Sequence, residues 1–146
     1  MPMSPCPRVV LDTNVVLDLL HFRDPAVAGV EAALAAGLIV AVTSEPCLEE
    51  LRRVLAYPQF ALDEAARAAL LSRYASMTER MPLDGASDAE LPRCTDPDDQ
   101  KFLELAWHGG AYCLVTKDKA LLKLARRLAR MGGFSIVQPT GFVPPS

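Results

Sequence analysis

Short runs of consecutive apolar residues alternate along this chain with longer stretches whose apolar positions recur every three or four residues. Arg8-Val9-Val10-Leu11 is a β-branched run that ends at Asp12. Leu38 to Val42 and Ala111 to Val115 are apolar throughout, so both faces of each strand should be covered. Phe134 to Val137 reads as a last strand. Helical spacing runs through Val15 to His21, Val27 to Ala36, Ser44 to Leu55, Asp63 to Ser76, Asp98 to His108 and Lys119 to Met131. Gly37, Gly109-Gly110 and Gly132-Gly133 supply stop signals, while Ser44 with Glu45 and Pro46 supplies a start. The interior stretch from Pro82 to Pro97 is the most loop-like. Apolar strands separated by helices predict an α/β fold, a parallel sheet with helices on both faces.

The chain has 146 residues, which fits one domain spanning 1–146. Six of its 12 prolines fall at Pro2, Pro5, Pro7, Pro139, Pro144 and Pro145, so residues 1–7 and 140–146 are expected to be flexible tails. A composition of 51% hydrophobic and 23% charged residues excludes a disordered chain. No apolar run approaches the roughly 18 residues of a membrane span, and MPMSPCPR lacks a signal-peptide pattern, so a cytoplasmic location is expected. Cys6, Cys47, Cys94 and Cys113 form no C-x-x-C pair, and His21 and His108 are the two histidines. Free thiols in a reducing compartment fit better than a zinc site.

In such a sheet, ligands bind outside the carboxyl ends of the strands. The acids cluster there. Asp12 follows the first strand, and Asp118 follows Val115-Thr116-Lys117. Glu49 and Glu50 lie early on the helix after the second strand, and Asp96-Pro97-Asp98-Asp99 heads another helix. Each acid taken alone also reads as a helix cap. Together they repel by about 4 kcal/mol per pair at 4 Å and an effective dielectric near 20, so their convergence calls for a cation or shared protons. Leu48, Leu51, Val54 and Leu55 define an apolar face that Glu50 borders and Glu49 opposes. Asp99 leads the stripe of Phe102, Leu103 and Ala106, leaving Asp96 and Asp98 as capping or supporting groups.

The net charge of −3 hides an asymmetry. From Lys117 to Arg130 six basic residues face one acid, a local +5 that leaves −8 elsewhere. Lys119, Lys123, Arg126, Arg127 and Arg130 share one helix face within about 80°, opposite Leu121, Leu124 and Leu128, as an RNA-binding stripe would or as a solvated surface would. The histidines fit structural or neutral roles at helix ends. Tyr57, Phe60 and Trp107 fit packing or the general surface better than stacking on bases.

The ordered segments VVLDTNVVLDLL, SEPCLEELRRVL, DPDDQKFLELAWHGGAYCLVTKDKALL and FSIVQP, spanning Arg8 to Pro139, resemble the PIN-domain ribonucleases, in particular small toxin-like members of toxin–antitoxin pairs. The resemblance implies a three-layer α/β/α sandwich around a mainly parallel sheet of four to five strands. It also implies hydrolysis of RNA phosphodiester bonds with one or two Mg²⁺ or Mn²⁺ ions. Its catalytic and metal-binding acids fall on Asp12, Glu50, Asp99 and Asp118. Asn14, Thr116 and Thr13 fall near the metal, and Asp96 rivals Asp99 for part of its role. A cognate antitoxin protein and a homodimer are further implications. A haloacid-dehalogenase-like phosphatase needs D-x-D where this chain has Asp12-Thr13-Asn14, and a receiver domain places its acids differently. The remaining rival is a catalytically idle module of the same kind that binds RNA or protein.

Overall fold

The strand β1 (Arg8–Leu11) occupies the centre of a five-stranded sheet. β2 (Val40–Thr43) and β4 (Cys113–Val115) flank it, and β3 (Thr78–Arg80) and β5 (Ser135–Val137) form the edges, in the order β3-β2-β1-β4-β5. Every pairing is parallel, with Val9 opposite Ala41 on one side and Cys113 on the other. This computed structural model describes residues 6–82 and 91–145, so part of the loop read between Pro82 and Pro97 lies outside the described residues.

Side chains alternate across a strand, and the sheet divides two cores accordingly. Val9, Leu11, Ala41, Cys113 and Val115 face one core. It is closed by α1 (Thr13–Leu17) with its π-helical extension Asp18–Phe22, α2 (Ala28–Ala35), α3 (Glu45–Leu55) and α4 (Glu64–Met77). Val10, Val42, Leu114 and Ile136 face the other, closed by α5 (Gln100–His108), α6 (Lys119–Leu122) and α7 (Ala125–Arg130). The unbroken apolar runs of β1 and β4 are thus explained by two covered faces.

Several boundaries differ from the sequence reading. β3 was not anticipated: Thr-Glu-Arg carries no apolar signal, because it is a partly exposed edge strand held to β2 by backbone bonds. Leu38 is exposed, and β2 begins two residues later. The helix expected from Lys119 to Met131 divides at Lys123-Leu124, where the Leu124 N–H bonds back to Leu121 and tightens the turn. Leu121 and Leu128 remain fully buried across the break. Gly132 closes α7 in the left-handed region at φ 73°, where a side chain would be strained. Ser44 stands at the start of α3 with no side-chain capping bond, its hydroxyl donating instead to the Cys47 sulfur.

The flexible tail expected from residue 140 is corrected at its start. Phe142 is buried in the first core, and the Tyr112 hydroxyl donates to the Val143 carbonyl at 2.8 Å. The four cysteines are free; Cys47, Cys94 and Cys113 are buried. Burial pushes the Cys47 thiol up to about 11 and that of Cys113 to about 12, which makes them packing groups rather than nucleophiles. Among the described residues no helix is long and apolar enough to cross a membrane.

Leu103 on α5 is fully buried in the second core. Leu103→Ala is expected to lower unfolding stability by about 2–5 kcal/mol, read from the urea midpoint at constant slope. A loss below about 1 kcal/mol would mean that this core collapses around the cavity.

Candidate functional site

An all-parallel sheet places the carboxyl ends of all its strands on one edge. The starts of α1 and α3 lie there because each follows a strand directly, and the start of α5 lies there because α5 runs back toward β4.

Asp12 caps α1. Its Oδ1 accepts the Val15 N–H at 2.9 Å, and its Oδ2 accepts the Thr116 hydroxyl. Thr116, fully buried just past β4, also accepts the Asp118 N–H at 2.9 Å on the same hydroxyl oxygen. One hydroxyl therefore fixes an acid from β1 against the backbone of an acid from β4. Asp118 in turn caps α6 through Ala120 N–H at 2.7 Å.

Glu50 lies half-buried on α3, while Glu49 is exposed and paired with Arg52. Glu50 Oε2 accepts the hydroxyl of Thr13, and Oε1 lies 2.7 Å from the Lys101 ammonium. Asp96 caps the short 3₁₀ turn Pro97–Asp99 by accepting the Asp98 N–H at 3.0 Å. That turn delivers Asp99 to Asp118. Carboxylate oxygens of Asp96, Asp99 and Asp118 lie within 4.8 Å of one another. Of the four acids that the resemblance picks out, Asp99 and Asp118 belong to that trio, and Asp12 and Glu50 are not among its three residues.

Two carboxyl groups here are strongly perturbed. Burial pushes Asp99 up to about 7, helped by its hydrogen bond with Asp118 and by the charges of Asp118, Asp96 and Glu50. Burial also raises Asp12, against the Thr116 hydroxyl and the backbone N–H groups of Val15 and Lys117, which favour its charged form. Asp99 Oδ2 is buried without a hydrogen-bond partner among the described residues. Three converging carboxylates, one with an orphaned oxygen, form a hard, oxygen-only donor set suited to Mg²⁺ or Mn²⁺.

The remaining expected residues are more dispersed. Asn14 is exposed on the first turn of α1. Lys119, Lys123, Arg126, Arg127 and Arg130 are all exposed along α6 and α7, starting one residue after Asp118. His21 packs edge-on against Phe22 and Phe60, and His108 is exposed at the end of α5. Tyr57 and Phe60 follow the C-terminal end of α3, and Trp107 packs against the second core. Sequence reasoning missed Lys101, whose only signal is its place two residues after Asp99 in an acidic run. It also missed the buried Asp18, which pairs with Lys117, a cation counted in the basic segment from Lys117 to Arg130.

A family model described as PIN domain matches residues 8–120. No curated protein matches the sequence. Among solved structures, the PIN domain endonuclease Utp24 is similar at 18% identity and a TM-score of 0.50, over 91% of this chain and 85% of that one.

The raised Asp99 value makes a signed prediction for the metal-free protein. The folded state holds a proton that the unfolded chain, with an ordinary value near 3.9, has already released. This contribution to stability is therefore full below about pH 4 and is lost as pH rises through about 7. In EDTA, Asp99→Asn should flatten that part of the Tm profile and raise Tm above pH 7. A variant profile parallel to wild type would show that Asp99 does not carry it.

Proposed function

This chain belongs to the PIN domain family, and from that premise we propose that it is a metal-dependent endoribonuclease that hydrolyses phosphodiester bonds of RNA. The observation that carries the reading is the convergence of the carboxylates of Asp96, Asp99 and Asp118.

In this reading Asp99 and Asp118, with Asp96, hold Mg²⁺ or Mn²⁺, and the buried Asp12 carboxyl lies behind them, tied to Asp118 through Thr116. A bound divalent cation lowers the pKa of water and offsets charge growing on the phosphate. Thr116 orients Asp12 and Asp118 together, Thr13 orients Glu50, and Asn14 lies at the mouth. Glu50 completes the acid set from the α3 side. Lys119, Lys123, Arg126, Arg127 and Arg130 draw the RNA backbone along α6 and α7 toward the acids. As a small toxin-like member of the family its motifs resemble, the chain would act in the cytoplasm as a homodimer silenced by a cognate antitoxin. What supports that extension is the resemblance alone.

The second reading, an idle module that binds RNA without cutting it, shares the basic face and differs in the acids. All the acids are present, which favours cleavage. Fluorescent single-stranded RNA should be cut with Mn²⁺ or Mg²⁺ and spared with EDTA. Asp118→Asn should lower that rate by about two orders of magnitude or more. Binding without EDTA-sensitive cleavage would establish the idle module instead. Lys123→Glu combined with Arg127→Glu should weaken RNA binding in EDTA and flatten its salt dependence, at about 0.7 in slope per lost phosphate contact. Affinity and slope equal to wild type would return this face to ordinary solvent-facing surface.

A further inference from the structure

The acid set already contains a cation on its Glu50 side. The Lys101 ammonium lies 2.7 Å from Glu50 Oε1, and the two side chains are only 15% and 16% exposed. Water solvates neither charge well, so each depends on the other. The ammonium is held from a second direction by the Asp98 carbonyl at 2.6 Å, which anchors it to the start of its own helix. It also lies 5.6 Å from the centre of the Phe102 ring. The other Glu50 oxygen accepts the Thr13 hydroxyl, and Thr13 is buried. Both oxygens of Glu50 are therefore engaged, whereas Asp99 Oδ2 has no partner among the described residues.

The neighbouring cation Lys117 is committed to Asp18. Lys101 is thus the cation placed among the acids by the described residues. A centre with two divalent ions spaces them about 3.5–4 Å apart, each held by its own carboxylates. An ion drawing on Glu50 would have to displace an ammonium held by two acceptors and leave it in a poorly solvated place.

We propose that Lys101 is a built-in cation that fills the Glu50 side of the cleft, so that the centre takes one divalent ion, on Asp96, Asp99 and Asp118, instead of two. Glu50 is then the anchor of Lys101, and Lys101 is a positioning residue that sets the metal count. The inference rests on the metal-centre reading above and deepens it.

Equilibrium dialysis against Mn²⁺, with metal analysis of the full chain, tests it. The wild type should bind about one ion per chain. Lys101→Met frees Glu50 and should bind about two, with a larger Mn²⁺-induced rise in Tm. Lys101→Arg keeps the charge and should stay at about one. Adding Glu50→Gln to Lys101→Met should return the count to about one. Two ions on the wild type, or one on a folded Lys101→Met variant, would overturn the proposal. If Lys101→Met does not fold, Glu50→Gln alone decides: an unchanged count supports the anchor role, and a lost ion refutes it. A wild type that binds no Mn²⁺ at all would instead bring down the metal-centre reading, and this inference with it.

Discussion

The bond on which the cleft depends is the Thr116 hydroxyl, shared between Asp12 and the backbone of Asp118. It stands where the β1–β4 ladder ends, one residue beyond the Leu11–Val115 pair and beside the Asp12 N–H bond to the Val115 carbonyl. Two acids left to themselves would move apart. Here the central strands hold their backbones, and a fully buried hydroxyl fixes what the backbone leaves free. The side chains of β1 and β4 are buried in both cores, so the repulsion has no soft element to push aside.

The protein offsets this gathered charge in three ways, each confined to one place. Asp18 and Lys117 neutralise each other next to Asp118 without contributing to the acid trio. Lys101 neutralises Glu50 from within the cleft. Asp99 and Asp118 have no ion pair among the described residues, and burial together with their mutual contact favours a proton on Asp99. That last location is where the negative charge is least compensated by the chain itself, and it is also where a carboxylate oxygen lacks a partner. Burial is common to both features, and it concentrates them on Asp99.

The parts of this architecture that were legible in the sequence are those where one physical requirement dominates. Central strands buried on both faces need uninterrupted apolar residues, so β1 and β4 were readable, and with them the edge where Asp12 and Asp118 emerge. Helical phase separated Glu50 from Glu49 and placed Asp99 at the head of its buried stripe, because both choices depend only on the 100° step. Features fixed by tertiary contact were not readable. β3 is held by backbone bonds to β2 and needs no apolar pattern. The division of α6 from α7 leaves Leu121 and Leu128 equally buried, so their spacing carries no trace of it. Phe142 looked like part of a proline-rich tail because its partners lie far back in the chain. Lys101 was passed over because a lysine on a helix usually reads as solvated, and only the approach of α3 turns it inward.

The charge asymmetry of the chain takes on structural meaning once these pairs are removed from the count. With Lys117 bound to Asp18 and Lys101 bound to Glu50, the remaining cations of the C-terminal segment lie on the exposed faces of α6 and α7. Those helices begin at Asp118, so the positive face starts where the acid trio ends. A polyanion attracted to that face is led toward acids that would repel it. The two surfaces suit one substrate when the charge at the trio is offset, as a shared proton does in part and as a divalent cation would do in full. The juxtaposition of attracting helix and repelling acids therefore supports the proposed metal centre more than either surface does alone.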